Sequence, residues 1–353
     1  MRILFTNSYP YIPQKAGGVE STMHDLAGEL ARRGHEISIL GGLEKTGWTG
    51  LRSRVERKLL RRSYSVDHGL GYPVYRAWFP WEVVAEVAKR MNADVVVAHS
   101  GSSVMFAQAL AGADVKIVIY LHNVEVSQLG GDPRSLHDVS YVSNSRFTAD
   151  RWKELFGIRS EVIHPLILRE NYETATTREN VTFVNPHPKK GLEIALGLAE
   201  RCPEIPFVFI ESWGLAQDER KQLQDRLTSL PNVTLRPATR DMKSVYGRAR
   251  IVIAPSQWEE AFGRVAVEPQ FSGIPVIASA RGGLPEAVGP GGILMDPEAG
   301  ADAWAEAVRK LWHDEAFYAE KSQAALAHAN RPEMNPSHQI DRLLEIFKGV
   351  VHV

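Results

Sequence analysis

The sequence predicts an α/β protein made of two doubly wound domains, each built on a parallel sheet. Three observations lead to this prediction. The chain has 353 residues, more than one ordinary hydrophobic core accommodates. Short apolar runs alternate with amphipathic helical stretches in both halves, which calls for parallel strands joined by crossover helices. A polar run at residues 173–180, with Pro165 just before it, separates the halves as a linker would.

The elements of the first half follow from the hydrophobic pattern. A helix is expected to begin near Gly18 and to end at Gly34, because apolar side chains from Val19 to Leu30 recur on one face. Apolar runs ended by polar residues predict the strands. These are residues 3–6, 37–40, 95–98 and 117–120, with two more near Tyr141 and Val162.

The second half repeats the scheme. Its predicted strands are residues 182–184, 207–210, 233–235, 251–254 and 276–278, and its predicted helices are residues 190–201, 218–230 and 241–248, with another from Gly263. We therefore expect residues 1–165 to form an N-terminal domain and residues 166–334 a C-terminal one. The segment 335–353, with a helix near residues 339–348, is expected to pack back on the first domain.

Composition excludes several classes of function. The formal net charge is −1, from 41 Lys and Arg against 42 Asp and Glu, so no overall attraction to nucleic acid is expected. The one cysteine, Cys202, excludes an intrachain disulfide and is expected to be a buried, inert thiol. The N-terminal apolar run is too short for a signal peptide, and no run approaches the ~20 apolar residues of a membrane span. The sequence therefore predicts a cytoplasmic protein.

The loop and helix start at residues 255–268 carry the strongest functional signal. The segment directly follows an apolar strand, so the backbone N–H groups of Phe262, Gly263 and Arg264 are expected to face a phosphate group. Glu260 and Glu268 would repel phosphate, so their expected partners are hydroxyls of ribose or of a sugar. The alternative is a solvated helix start, where acidic residues are common.

This segment resembles the Glu-x7-Glu signature of the retaining GT-B glycosyltransferases of family 4, the glycosyl transferases group 1. The likeness continues in Ser-Gly-Ile-Pro-Val-Ile-Ala-Ser-Ala-Arg-Gly-Gly-Leu-Pro-Glu at residues 272–286 and in Val-Thr-Leu at residues 233–235. Matching elements run over residues 1–288. The resemblance implies two Rossmann-like domains with parallel sheets facing across a cleft. It also implies transfer of a sugar, with retained configuration, from a nucleoside diphosphate sugar to an acceptor hydroxyl.

The same resemblance implies roles for individual residues. Glu268 would bind the donor ribose, Glu260 a hydroxyl of the transferred sugar, and residues 262–264 the diphosphate. Pro269 departs from the family pattern and should kink the helix that carries Glu268, because proline removes a helix hydrogen bond. The sequence shows neither an Asp-x-Asp pair at a strand end nor a His/Cys ligand set, so no metal and no cofactor are expected.

Two further loops complete the predicted donor site. In the loop at residues 184–191, Lys190 is a natural counter-charge for a leaving phosphate, and Asn185 occupies the place of the family's usual arginine. Either the donor is bound in a different geometry, or Lys189 or Arg264 supplies the missing charge. In the loop at residues 13–20, Gly17 and Gly18 are expected to abut the diphosphate.

Histidines at strand ends need separate interpretations. The resemblance implies that His122 contacts the donor sugar, and we predict a catalytic role for it together with Lys190 and Glu260. His99, His164 and His187 are interpreted as structural. Asn144, Ser145 and Arg146 also follow a strand and suggest, weakly, the acceptor side.

A basic stretch from Leu51 to Arg62 carries six Lys and Arg against one Glu, and Trp78 and Trp81 lie nearby. It suggests a peripheral contact with anionic lipid or an anionic acceptor, and a solvated helix or loop is the alternative. The tryptophans are interpreted either as core residues or as a stacking surface for an acceptor.

Other functions are compatible with parts of the pattern. A nucleotide-sugar epimerase, a glycan phosphorylase and a non-catalytic sugar-nucleotide binding protein share the architecture. A Rossmann dehydrogenase is disfavoured, because Gly69-Leu-Gly71 lacks the third glycine, whose place Val74 takes, and lacks a preceding strand.

Overall fold

A computed structural model describes residues 1–212, 215 and 217–349. The chain divides into two compact units. Unit 1 is Met1–Leu166 with the C-terminal segment that starts at Pro336, and unit 2 is Ile167–Asn335. Of the predicted C-terminal segment 335–353, residues 350–353 lie outside the described part of the chain.

Unit 1 is built on an eight-stranded sheet with the order β3-β4-β2-β1-β5-β6-β7-β8. All its strand pairs are parallel except β3 with β4, an edge pair that the sequence pattern did not predict. The strands are β1 (Arg2–Pro10), β2 (Glu36–Gly42), β3 (Tyr64–Asp67), β4 (Val74–Ala77), β5 (Val95–His99), β6 (Lys116–Leu121), β7 (Val139–Ser143) and β8 (Glu161–Val162).

Five helices of the first 166 residues accompany this sheet. They are α1 (Gly18–Arg32), α2 (Gly47–Leu60), α3 (Pro80–Met91), α4 (Ser103–Ala109) and α5 (Arg146–Phe156). Helix α1 buries Met23, Leu26 and Leu30, as the periodicity predicts. Helix α3 begins at Pro80, whose missing N–H costs nothing in the first turn. Trp81 packs against the core of this unit.

Unit 2 is built on six parallel strands in the order β11-β10-β9-β12-β13-β14. The strands are β9 (Asn180–Val184), β10 (Phe207–Ile210), β11 (Val233–Arg236), β12 (Ala249–Ala254), β13 (Val276–Ser279) and β14 (Ile293–Met295). The helices are α6 (Leu192–Arg201), α7 (Gln217–Leu227), α8 (Met242–Tyr246), α9 (Arg264–Val267), α10 (Leu284–Val288), α11 (Ala301–His313) and α12 (Glu315–Ala329). The last helix, α13 (Pro336–Phe347), belongs to unit 1.

Pro269 distorts the helix after β12, as predicted, but it ends the α-helix instead of only kinking it. The helix expected from Gly263 is only four residues long, and a 3-10 turn (Glu268–Ser272) follows it. Proline has no N–H to continue the α-helical ladder, so the chain tightens instead. The side-chain amide of Gln270 then donates to the Ala266 carbonyl at 2.5 Å.

No helix in the described part of the chain is long and apolar enough to cross a membrane. The cytoplasmic location stays a prediction. Cys202 is buried, and its burial raises the pKa of the thiol, which fits the inert role expected of it.

Candidate functional site

The strand order of unit 2 contains a switch point between β9 and β12. The chain proceeds from β9 to β10 and β11 on one side, then crosses over to β12 and β13 on the other. In open parallel sheets the loops at the carboxyl ends of such strands diverge and leave a crevice where ligands bind. The loops in question are residues 185–191 after β9, 255–263 after β12 and 280–283 after β13.

Lys190 and Glu260, 70 positions apart, meet at this switch point. The Lys190 ammonium donates to Glu260 Oε1 at 2.5 Å, and the two side chains are 19% and 16% exposed. The Ser256 hydroxyl donates to the same oxygen at 3.0 Å. Among the described residues, Glu260 Oε2 makes no hydrogen bond. One oxygen of the carboxylate is therefore fixed by the protein, and the other is available to a ligand.

Backbone hydrogen bonds hold the two loops in register. The Lys189 carbonyl accepts from the backbone N–H groups of Gln257 at 2.9 Å and Trp258 at 3.1 Å. The Lys189 ammonium lies 4.0 Å from the centroid of the Trp258 ring, a cation–π contact. Lys189 thus joins the loops and does not enter the ion pair, while its neighbour Lys190 does.

Gly191 allows the loops to approach this closely. Its φ is +85°, and a Cβ placed on it would lie 1.9 Å from the Pro255 carbonyl oxygen. No side chain fits there, because real Cβ atoms do not approach an oxygen within 3 Å. The glycine that begins the turn into α6 is therefore a steric requirement of the Lys190–Glu260 pair.

The third loop supports Glu260 from its backbone side. The Gly283 N–H donates to the Glu260 carbonyl at 2.6 Å. A Cβ on Gly282, whose φ is +62°, would lie 2.4 Å from the same oxygen. The Arg281 guanidinium donates to the Gln257 carbonyl at 2.7 Å. Sequence reasoning missed this role; two successive glycines directly after a strand were the available signal.

Glu268 is engaged in a buried polar network. Its carboxylate accepts from the Tyr246 hydroxyl at 2.9 Å and from Arg264 Nε at 3.2 Å, and Arg264 also donates to the Tyr172 hydroxyl at 2.9 Å. Burial, and then the negative charge of Glu268, raise the pKa of Tyr246 well above its usual value. The hydroxyl therefore stays protonated and keeps donating. These two donors use part of the capacity of a carboxylate, which offers about four acceptor positions.

Three predicted donor-binding residues, Phe262, Gly263 and Asn185, lie in the loops after β9 and β12. The Phe262 side chain is buried in the core of unit 2. Gly263 has φ +97°, and a Cβ there would lie 2.6 Å from Leu284 Cδ2. Asn185 has φ +68° and donates its N–H to the Ile210 carbonyl at 2.7 Å. Because α9 spans four residues, the helix dipole expected at this point is small.

Unit 1 has its own switch point between β1 and β5. Gly17 precedes α1, and Gly18 is its first residue. The Gly17 N–H donates to Glu20 Oε2 at 2.9 Å, and Asn7 Nδ2 donates to Glu20 Oε1 at 3.2 Å. The Gly17 N–H is thus bonded to a buried carboxylate in this structure. Sequence reasoning missed Glu20, although a glutamate three residues after a helix cap is a known capping pattern.

His122 follows β6 and is paired with His99 at the end of β5. His99 Nδ1 and His122 Nε2 are 3.0 Å apart, and the ring planes are inclined by 17°. The same two loops are joined again where the Ser100 hydroxyl donates to Asn123 Oδ1 at 2.6 Å. Trp152 Nε1 donates to the Asn123 carbonyl at 2.9 Å. The structural interpretation of His99 was therefore incomplete, because its ring contacts and orients a predicted site residue.

The burial of His99 determines its charge. Burial, and then the neighbouring His122, lower the pKa of His99 well below its usual value, so the ring is neutral. In the described part of the chain its Nε2 meets no hydrogen-bond partner. A buried lone pair is less costly than a buried unpaired N–H. The favoured tautomer therefore has the proton on Nδ1 of His99, donated to His122.

Two other sequence patterns lie near β3 and β4. The prediction that no strand precedes Gly69 is wrong, because β3 ends at Asp67. Gly69 and Gly71 instead connect β3 to antiparallel β4, and a dinucleotide-binding turn would lead from a strand into a helix. The Trp78 ring lies 5.5 Å from the Arg57 guanidinium of helix α2. Among the described residues, no group of three or more His, Cys, Asp and Glu could hold a metal ion. The expected independence from metals stays a prediction.

Two family models match the chain in succession. The model described as Glycosyltransferase Family 4 matches residues 16–167, and the model described as Glycosyl transferases group 1 matches residues 168–331. These matches do not favour the epimerase or phosphorylase alternative.

Curated relatives match in part. The D-inositol 3-phosphate glycosyltransferase of Mycolicibacterium smegmatis is 34% identical over 210 residues, covering 54% of this chain and 47% of the relative. That of Corynebacterium kroppenstedtii is 45% identical over 93 residues, covering 26% and 20%. The chain thus spans about half the length, or less, of these relatives.

Solved structures match over nearly the whole chain. Anabaena HepE in complex with UDP-glucose has a TM-score of 0.77 at 22% identity and covers 99% of this chain and 100% of its own. Sucrose-phosphate synthase from Thermosynechococcus elongatus has a TM-score of 0.77 at 15% identity, with 99% and 98% covered. At such identities the likeness shows the fold, which is GT-B with two Rossmann-like domains.

The steric role of Gly191 leads to a first prediction. Gly191→Ala should lower the free energy of unfolding by about 3 kcal/mol, because the new methyl group displaces the Pro255 carbonyl. Gly112→Ala is the matched control, since Gly112 has φ +79° but open space around it. It should cost only about 1 kcal/mol for the backbone conformation. Urea unfolding of both variants measures the difference, and equal losses would contradict the steric role.

The neutral charge of His99 leads to a second prediction, on pH. Because the folded-state pKa lies below the unfolded value, only the unfolded chain takes up this proton as the pH falls below about 6.5. The contribution of His99 to the free energy of unfolding is therefore complete above about pH 6.5. Below that pH it declines by up to about 1.4 kcal/mol per pH unit. Urea unfolding from about pH 7.5 to about pH 5.5 should show a smaller loss in His99→Gln than in the wild type. The exposed His137 provides the control variant, His137→Gln, which should keep the wild-type slope.

Proposed function

The chain belongs to the group 1 glycosyltransferases, and from this premise we propose that it transfers a glycosyl unit from a nucleoside diphosphate sugar to an acceptor hydroxyl with retention of configuration. The observation that carries the proposal is the Lys190–Glu260 pair at the β9/β12 switch point. A partly exposed cation beside a partly exposed carboxylate suits a donor that presents an anionic diphosphate next to a hydroxylated ring. The UDP-glucose bound to HepE, a protein of the same fold, is consistent with such a donor.

Lys190 would stabilise the leaving diphosphate. Its ammonium is held beside Glu260 at the switch point. Negative charge develops on the diphosphate as the glycosidic bond breaks, and a preplaced cation lowers the energy of that transition state. Arg264 is less suited to this role, because its guanidinium is bound to Glu268 and Tyr172. We therefore assign Arg264 to holding Glu268 in place.

The two glutamates would recognise hydroxyls and not transfer protons. Glu260 Oε2 is available to a hydroxyl of the transferred sugar, while Oε1 is fixed by Lys190 and Ser256. Glu268 is proposed to accept from the donor ribose with the acceptor positions that Tyr246 and Arg264 leave. The backbone N–H groups of residues 262–264 would complete the diphosphate contacts. Asn185, whose own N–H is donated to the Ile210 carbonyl, is proposed as a further donor contact through its side chain.

The remaining assignments rest on the family resemblance. His122 is proposed to contact the donor sugar, in the orientation that His99 gives it. Gly17 and Gly18 are proposed as donor contacts as well. In the proposed front-face reaction the diphosphate accepts the proton of the acceptor hydroxyl, so no carboxylate acts as a covalent nucleophile. The proposal includes no metal and no cofactor.

Substitution of the central pair tests this site. Lys190→Ala should lower kcat/KM by about 100-fold or more, because the leaving group loses its cation. Glu260→Gln should lower it by about tenfold or more, because an amide oxygen accepts a hydroxyl less strongly than a carboxylate does. Transfer rates are measured with each purified full-length variant.

The control for these variants is Lys221→Ala, which removes an exposed lysine on α7 that pairs with Asp225. It should leave transfer unchanged. A loss of only a few fold in both test variants would place the site elsewhere. Donor hydrolysis assayed without acceptor separates a damaged donor site from a failure to find the acceptor.

A thermal-shift screen of UDP-, GDP-, ADP- and dTDP-sugars tests the donor class. We expect one nucleotide series to raise the Tm of the wild type and to raise that of Glu268→Gln less, because the ribose contact is weakened. Free sugars without the nucleotide serve as the control and should give no shift. Absence of a shift with every nucleotide sugar would contradict the proposed donor.

A further inference from the structure

Helix α2 carries an apolar stripe that faces solvent. Trp48 and Leu59 are each 76% exposed, and Leu51 and Val55 are 47% and 49% exposed. With about 100° per residue, these four positions fall within an arc of about 80° on the helix surface. They form one continuous stripe along three turns of the helix.

The opposite face of α2 attaches the helix to unit 1 through small and polar groups. Gly50 and Ser53 are buried, and a Cβ on Gly50 would lie 2.4 Å from the Glu44 carbonyl oxygen. The Glu56 carboxylate accepts from the Val66 N–H at 3.0 Å. The Arg57 guanidinium lies over the Trp78 ring. The pattern is the reverse of an ordinary surface helix, which buries its apolar face and exposes its polar one.

Cations flank the exposed stripe. Arg52 lies on one side of it and Lys58 and Arg54 on the other, and Arg61 and Arg62 follow the end of the helix. All five are exposed. None of them forms an ion pair within the described part of the chain. The one acidic residue of the stretch, Glu56, belongs to the inner face.

We propose that α2 is a membrane-surface helix that lies in the headgroup layer of a bilayer containing anionic lipid. In this arrangement the apolar stripe enters the boundary between headgroups and acyl chains, and the flanking cations meet lipid phosphates. Trp48, at the start of the stripe, has the amphipathic ring that favours this interface.

The cations beside the apolar stripe favour a bilayer over a second copy of the chain as the partner of α2. In a two-fold dimer the same stripe would face itself, and the flanking cations of the two copies would be brought together. Like charges across an interface oppose association, whereas an anionic surface attracts all five. The proposal rests on α2 alone and does not depend on the proposed glycosyl transfer.

Co-sedimentation of the full-length protein with vesicles tests the proposal. We expect binding to phosphatidylcholine vesicles that contain phosphatidylglycerol at low salt, and weaker binding at high salt or without phosphatidylglycerol. Trp48→Ser with Leu59→Ser should lower the partition coefficient by about tenfold or more, because the most exposed apolar area is removed. Arg54→Glu with Lys58→Glu should abolish the preference for anionic vesicles.

Matched controls come from the same unit. Leu155→Ser removes a side chain that is 45% exposed on α5, and Lys89→Glu reverses an exposed charge on α3. Both should bind vesicles like the wild type, and all variants should keep its Tm. Absence of binding to anionic vesicles at low salt would overturn the proposal, as would unchanged binding of both double variants. A dimer in sedimentation velocity that the Trp48 and Leu59 variant loses would assign the stripe to a second copy instead.

Discussion

The approach of the β9 loop to the β12 loop determines the positions of Lys190 and Glu260 in the unit 2 site. Lys189 gives its carbonyl to two N–H groups of the second loop, and this contact fixes where Lys190 can reach. The β9 loop can come this close to the β12 loop because Gly191 has no side chain, which would collide with the Pro255 carbonyl. Glu260 is fixed from the other side by the N–H of Gly283. The ion pair thus depends on backbone packing between the loops, which the contact of Lys189 with Trp258 accompanies.

In unit 1, contacts between strand-end loops also position a predicted site residue, His122. Its strand-end loops are joined by a histidine pair and by the contact of Ser100 with Asn123. A neutral, fully buried His99 cannot compensate a charge, but it can fix the ring of His122 and its tautomer. The orientation of His122 therefore depends on a neighbouring ring that is itself fully buried.

The sequence was sufficient for the alternation of strands and helices, the type of sheet and most of the strand centres, because these follow from local hydrophobic pattern. It was also sufficient for the effect of Pro269, which is a property of one residue type. Lys190 and Glu260 were predicted singly, but their pairing depends on strand order, which no local pattern contains. His99, Glu20 and Gly283 were missed for the same reason. The antiparallel β3 and the outward face of α2 were missed because exposure depends on what the rest of the chain leaves uncovered.

The half-occupied carboxylate of Glu260 has a consequence for selectivity. Its Oε1 is fixed by Lys190 and Ser256, so the group cannot turn away when a poor ligand arrives. A carboxylate held in this way would select for a sugar that carries a hydroxyl at the matching position. A deoxy sugar without that hydroxyl would displace water from Glu260 Oε2 and would form no hydrogen bond in its place. Sites that hydrogen-bond a substrate hydroxyl can reject the analogue without it by roughly 10⁴-fold or more, far beyond what a missing methylene provides. In this protein, discrimination against deoxy sugars would arise from a contact between two loops and not from the shape of a pocket.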